Sequence, residues 1–142
     1  MKNNALATAI RTISSKMCKR LRKEIKSIDD LSLTEVTVLA NLYHNGSLFP
    51  SEMAEMVKIK AQSISQIINK LEGLNLITKT PSETDKRKVS ISLSAFGKET
   101  VDKTRYERDE WLDKAIEEHL SAAEKKLLAE AMILLDRLTE SK

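Results

Sequence analysis

The chain is poor in the residues that cross-link or punctuate a fold. It has one cysteine, Cys18, so no internal disulfide can form. Three glycines and two prolines in 142 residues leave few tight turns and few helix breakers. One tryptophan, two tyrosines and two phenylalanines are too few to line a large aromatic pocket from one chain. No apolar run reaches the ~18 residues that a membrane-spanning helix needs, so no membrane partner is expected. Arg11, Lys16 and Lys19 interrupt the first apolar pattern before it resembles a secretory leader. The expected compartment is therefore the reducing cytoplasm. There is no glycine-rich phosphate loop and no nucleophile motif, and the carboxylates fall on polar helix faces, which argues against an enzyme. His44, His119 and Cys18 are widely separated and show no paired-ligand spacing, so neither a metal nor a cofactor is expected. Both histidines lie near expected helix C-termini, where they can interact with the end carbonyls.

Apolar side chains make up 41% of the chain, enough for a core, and charged ones 32%, which suits solvated helix surface. The net charge of +3 conceals a strong segregation. Residues 1–28 hold eight basic residues and one acid, Glu24. Residues 29–55 hold five acids and no lysine or arginine. Residues 56–98 return to eight basic residues against three acids, and residues 99–142 hold eight against twelve. Two basic segments suit a nucleic-acid partner if they meet on one surface. The first of them reads better as a helix with a solvated basic face.

Leu6, Ile10, Ile13, Met17, Leu21, Ile25 and Ile28 recur every three or four residues, which predicts one long amphipathic helix ended by Asp29-Asp30. Ser32 and Glu35 form a capping box, with Leu31 and Val36 as its hydrophobic staple, for a second helix ending at His44 before Asn45-Gly46. Leu48-Phe49 reads as a minimal strand, and Pro50-Ser51 opens a short helix to about Val57. After the turn Lys58-Ile59-Lys60, a fourth helix runs from Ala61 to about Leu74. Leu76–Thr80 and Val89–Leu93 read as strands joined by the polar loop 81–88. Ser94 caps a fifth helix to about His119, and Ser121 with Glu124 starts a last one.

A short helix, a turn, a helix and a hairpin with a basic loop make a winged helix-turn-helix. The fold class is mainly α with a small β-hairpin. On the fourth helix, Ile64, Ile67, Ile68, Leu71 and Leu74 form an apolar face. Gln62, Ser65, Gln66 and Asn69 repeat at the same spacing on the opposite face. That division suits a helix resting on its own domain while its polar side enters the major groove. No acid lies between Met56 and Leu71, whereas Lys58, Lys60 and Lys70 do, so phosphates meet no repulsion there. Lys86, Arg87 and Lys88 of the loop can reach the backbone or a minor groove.

The run Leu71-Glu72-Gly73-Leu74-Asn75-Leu76-Ile77-Thr78-Lys79, then Asp85-Lys86-Arg87, then Val89 to Gly97, resembles the MarR family of bacterial transcriptional regulators. Asn75 replaces the family's usual glycine, but asparagine also tolerates positive φ. Ser94 replaces a threonine and still caps. The resemblance implies a homodimer on double-stranded DNA with a pseudo-palindromic operator. Residues 1–30 and 98–142 would form the helical dimerisation region, and residues 31–97 the winged domain. It places Gln62, Ser63, Ser65, Gln66, Asn69 and Lys70 on the recognition helix, beside Lys60. It makes Arg87 the wing-tip arginine and Asp85 its brace. A repressor released by a small-molecule effector or an oxidant is the implied function. A winged-helix protein–protein adaptor is the alternative, disfavoured by the basic wing and polar recognition face. Some relatives sense oxidants through one N-terminal cysteine. Cys18, set among Lys16, Lys19, Arg20, Arg22 and Lys23, is a candidate for that role. Its place beside Leu21 and Ile25 reads instead as a small buried hydrophobe.

Overall fold

A computed structural model describes residues 1–28 and 30–142. In chain order the elements are α1 (Asn3–Lys23), α2 (Leu33–Asn45), β1 (Ser47–Leu48), α3 (Pro50–Val57), α4 (Ala61–Gly73), β2 (Ile77–Pro81), β3 (Val89–Leu93), α5 (Ala95–His119) and α6 (Ala122–Thr139). The chain forms two compact units, Ile25–Tyr106 and a second made of Met1–Glu24 with Glu107–Lys142.

The first unit carries the apolar core. Ser32 and Glu35 cap α2 reciprocally, with Glu35 N donating to Ser32 Oγ at 3.2 Å and Ser32 N to Glu35 Oε1 at 3.1 Å. From α2, Val38, Leu39 and Leu42 are buried against Met53 of α3 and Ile64, Ile68 and Leu71 of α4. Leu48, Ile77 and Ile91 close the core from the sheet, and Val101 closes it from α5. The expected hairpin is part of a three-stranded antiparallel sheet in the order β1-β3-β2. Leu48 stands opposite Ile91, and Ile77 opposite Leu93.

The passage from α4 into the sheet is tightly held. Asn75 takes φ 63°, the left-handed conformation expected of it. Ser94 Oγ donates to Asn75 O at 2.6 Å and accepts from Gly97 N at 2.8 Å. Ser94 N donates to Leu76 O at 3.0 Å. A Cβ on Gly97 would lie 1.9 Å from that same Leu76 oxygen, so this glycine is required by close approach rather than by its φ.

In the second unit no residue of α1 or α6 is buried. Leu6, Ile13, Met17, Leu127, Met132 and Ile133 are among its exposed apolar side chains. Arg20 stacks 4.6 Å from the Trp111 ring centre and pairs with Glu24 at 3.0 Å. The Ser121–Glu124 capping box forms as expected.

One boundary differs appreciably from expectation. The first helix stops at Lys23 rather than near residue 28. Glu24 N bonds back to Leu21 O, and Arg20, Arg22 and Lys23 complement the C-terminal dipole. Ile25 and Ile28 keep the helical period by coincidence: they belong to the first unit, where Ile28 packs on the core. The expected Asp29-Asp30 stop includes Asp29, which lies outside the described residues. Other ends shift by one residue, as with α2, which includes Asn45.

Candidate nucleic-acid interface

α3, a turn and α4 form the helix-turn-helix. Pro50 occupies the first turn of α3, where its missing N–H costs nothing, and Phe49 N donates to Glu52 Oε1 at 2.9 Å. Lys58 closes the helix in the left-handed region at φ 55°, and Ile59 N reaches back to Ala54 O at 3.1 Å. Lys60 then precedes α4, whose first turn carries no acid. Ile64, Ile68 and Leu71 are buried and Ile67 is half-buried. Gln62, Ser65, Gln66 and Asn69 are all exposed along the opposite face, with Ser63 and Lys70 on its flank and Lys60 at its start. The structure thus brings the expected polar residues onto one outward surface.

Two lysines are committed to partners that no local spacing reveals. Lys70 Nζ donates to Glu35 Oε1 at 2.8 Å and to Asp30 O at 3.3 Å. Its charge is anchored to the start of α2, while about half of its side chain stays exposed. Glu35 is only 5% exposed, and its Oε2 is buried without a hydrogen-bond partner among the described residues. Burial pushes its carboxyl up, but hydrogen bonds from Lys70 and Ser32, with the Lys70 charge, together hold it below the ordinary value. Lys79 of β2 donates to Asn69 Oδ1 at 2.8 Å and pairs with Glu72 at 3.3 Å.

The wing is an organised turn. Ser82 N donates to Lys88 O at 2.9 Å and Lys88 N to Asp85 O at 3.0 Å. Asp85 Oδ1 accepts from Arg87 N at 3.1 Å and from Arg87 Nε at 3.3 Å. Those two bonds hold the Asp85 carboxyl below its ordinary value. The Arg87 side chain is 92% exposed, so Asp85 holds its backbone N–H and the Nε of its guanidinium while the terminal nitrogens face solvent. Lys86 and Lys88 are also exposed, and Lys88 Nζ lies 5.5 Å from the Phe49 ring centre. The three loop cations therefore differ in what they present.

Cys18 is exposed in the single chain, as is most of α1. No group of three potential metal ligands occurs among the described residues, and no described helix is long and apolar enough to cross a membrane. An open pocket of about 420 Å³ lies within the first unit, lined by Leu42, Tyr43, Gly46, Leu93, Ala95 and Lys98 among others.

A polar helix face with no acid in its first three turns, its supporting helix and a braced basic wing define a winged helix-turn-helix of the DNA-binding class. A family model described as "MarR family" matches residues 29–88. A transcriptional regulator structure from Pseudomonas aeruginosa PA01 is similar at a TM-score of 0.87 and 28% identity, covering 99% of this chain and 98% of that one. The transcriptional repressor MdtR of Bacillus subtilis is 36% identical over 63 residues, 44% of this chain and 41% of its own. The fold is also that of a mutant of S. aureus MepR bound to an oligodeoxyribonucleotide, with a TM-score of 0.70 and 21% identity over 94% of this chain and 97% of that one. Residues 29–88 carry the MarR family pattern, and the relatives and structures that the chain resembles are transcriptional regulators.

Proposed function

We propose that this regulator is a homodimeric repressor that reads a pseudo-palindromic operator through α4 and is released by a small molecule or an oxidant. The observation that carries the reading is the outward face of α4. Gln62, Ser65, Gln66 and Asn69 are exposed there, backed by an apolar opposite face, with no acid before Glu72 near the helix end. Such side chains can exchange hydrogen bonds with base edges in the major groove. Arg87 is the group best placed to enter a minor groove, since a side chain already held at Nε loses less freedom on binding. Lys60 and Lys86 supply phosphate contacts. Lys70 and Lys88 act by holding α4 and the wing in place.

Dimerisation is supported by the exposed leucines, isoleucine and methionine of α6, which a single chain leaves in water. Two copies place two reading helices on one duplex, so the operator is two-fold. The DNA-bound MepR structure and the repressor MdtR support the partner and the sign of regulation. The pocket beside Tyr43 and Lys98 falls in the size range of small-molecule sites. The test is recovery of duplexes from a randomised pool, with the mass of the complex measured in solution. Two chains on one duplex with a repeated half-site is the expected result. A stable monomer at micromolar concentration, or no enriched sequence, would overturn it.

A further inference from the structure

We propose that Lys79 is a specificity-determining positioning residue: by drawing the Asn69 amide oxygen toward β2, it leaves Nδ2–H₂ as the end of the amide offered to a base. The inference rests on the operator reading above and sharpens it to one side chain. Asn69 lies on the outward stripe of α4, in line with Gln62, Ser65 and Gln66. Lys79 stands on the neighbouring strand β2 and reaches it at 2.8 Å. A lysine ammonium has donors and no acceptor, so the group it meets must be the amide oxygen. That chemistry alone settles which way the amide faces, and it leaves Nδ2–H₂ as the end turned to a ligand. Glu72 pairs with the same ammonium at 3.3 Å and keeps it there.

The consequence concerns base choice. Asparagine selects adenine by a two-way exchange, giving a proton to N7 and taking one from the N6 amino group. The second half of that exchange needs the amide oxygen to face the base, and Lys79 takes one of its two lone pairs and draws it toward β2 instead. An amide presenting its NH₂ group instead suits a base edge with two acceptors, and guanine offers N7 and O6 side by side. Asn69 should therefore favour guanine over adenine at the position it faces. Lys79 restricts Asn69 alone among the three amides of this face, the others being Gln62 and Gln66.

Selection from a randomised duplex library tests this with the full-length wild-type protein and the variants Asn69→Ala, Lys79→Met and Lys79→Arg. Asn69→Ala locates the position in each half-site whose preference disappears. At that position wild type should enrich guanine, and Lys79→Met should move the preference toward adenine by about tenfold, the order a bidentate base contact supplies. Lys79→Arg, which keeps a donor in reach of the oxygen, should retain guanine. Thermal melts of each variant check that the fold is intact, so that a changed base preference cannot be put down to a loosened domain. An unchanged preference in Lys79→Met, adenine in wild type, or a uniform loss across all sequences would overturn the inference alone. Failure of wild type to enrich any sequence would overturn it together with the operator reading.

Discussion

Replacing Gly97 by alanine should unfasten the joint between the wing and α5. The added Cβ would sit 1.9 Å from Leu76 O, where ordinary contacts begin at about 3 Å, so one backbone must move by about 1 Å. Neither side can give way through a rotamer. Leu76 is buried, its N–H bonds Leu71 O, and its oxygen accepts from Ser94 N at 3.0 Å. Overpacking of this kind costs about 1–3 kcal/mol, and losing the Ser94 bond costs about 1 kcal/mol more. Alanine's better helix propensity returns about 1 kcal/mol. The net loss is about 2 kcal/mol, or about 4–8 °C in melting temperature for a chain of this size. Far-UV circular dichroism during heating and urea unfolding reads it directly. Gly73→Ala is the control, because nothing lies within 4 Å of its added Cβ, and it should melt no lower than wild type. A Gly97→Ala protein as stable as wild type would refute the close-approach reading of this joint.

Three further outcomes follow from the geometry. Glu35 has a folded-state pKa below its ordinary 4.5, so its contribution is complete above that value and lost as pH falls through the lower one. Glu35→Gln should therefore cost about 1–2 kcal/mol at pH 7, since Lys70 is half-exposed, and the difference should shrink in acid; a constant difference from pH 7 to pH 3 would refute it. Arg87→Ala should weaken operator binding by about 1–3 kcal/mol and flatten its salt dependence, whereas unchanged values in anisotropy titrations would remove Arg87 from the interface. If Cys18 senses oxidants, Cys18→Ser should stay on DNA after peroxide treatment, and continued release by that variant would end the sensor role.

Local signals in this sequence translate faithfully into structure, and long-range pairings do not. The two Ser-x-x-Glu boxes, the Pro50 start and the left-handed Asn75 depend on neighbours within four residues, and each forms as expected. The period-3.6 pattern of residues 61–71 separates buried from exposed positions because one face alone can meet the core. The same rule overextends the first helix, since it cannot tell that Ile25 and Ile28 pack in a different unit. The fates of the lysines were hidden for a related reason. Lys70 meets Glu35 across 35 residues, Lys79 meets Asn69 across 10, and Lys88 meets the ring of the distant Phe49; none lies at a helical i, i+4 spacing. Basic residues with equal claims in the sequence thus divide into those that face solvent and those that hold the fold. Gly97 carried a signal in its motif, but the reason for it, the carbonyl of Leu76, appears only once the strand and helix are placed.

The central claim is that the outward face of α4 reads base edges while the surrounding cations supply general affinity. It is tested most directly by the ratio of affinities for the selected duplex and a scrambled one, measured by anisotropy for wild type and Gln66→Ala at fixed salt. Gln66→Ala should lower this ratio and leave the scrambled affinity nearly unchanged. An equal loss on both duplexes would contradict it, because Gln66 would then touch only the backbone.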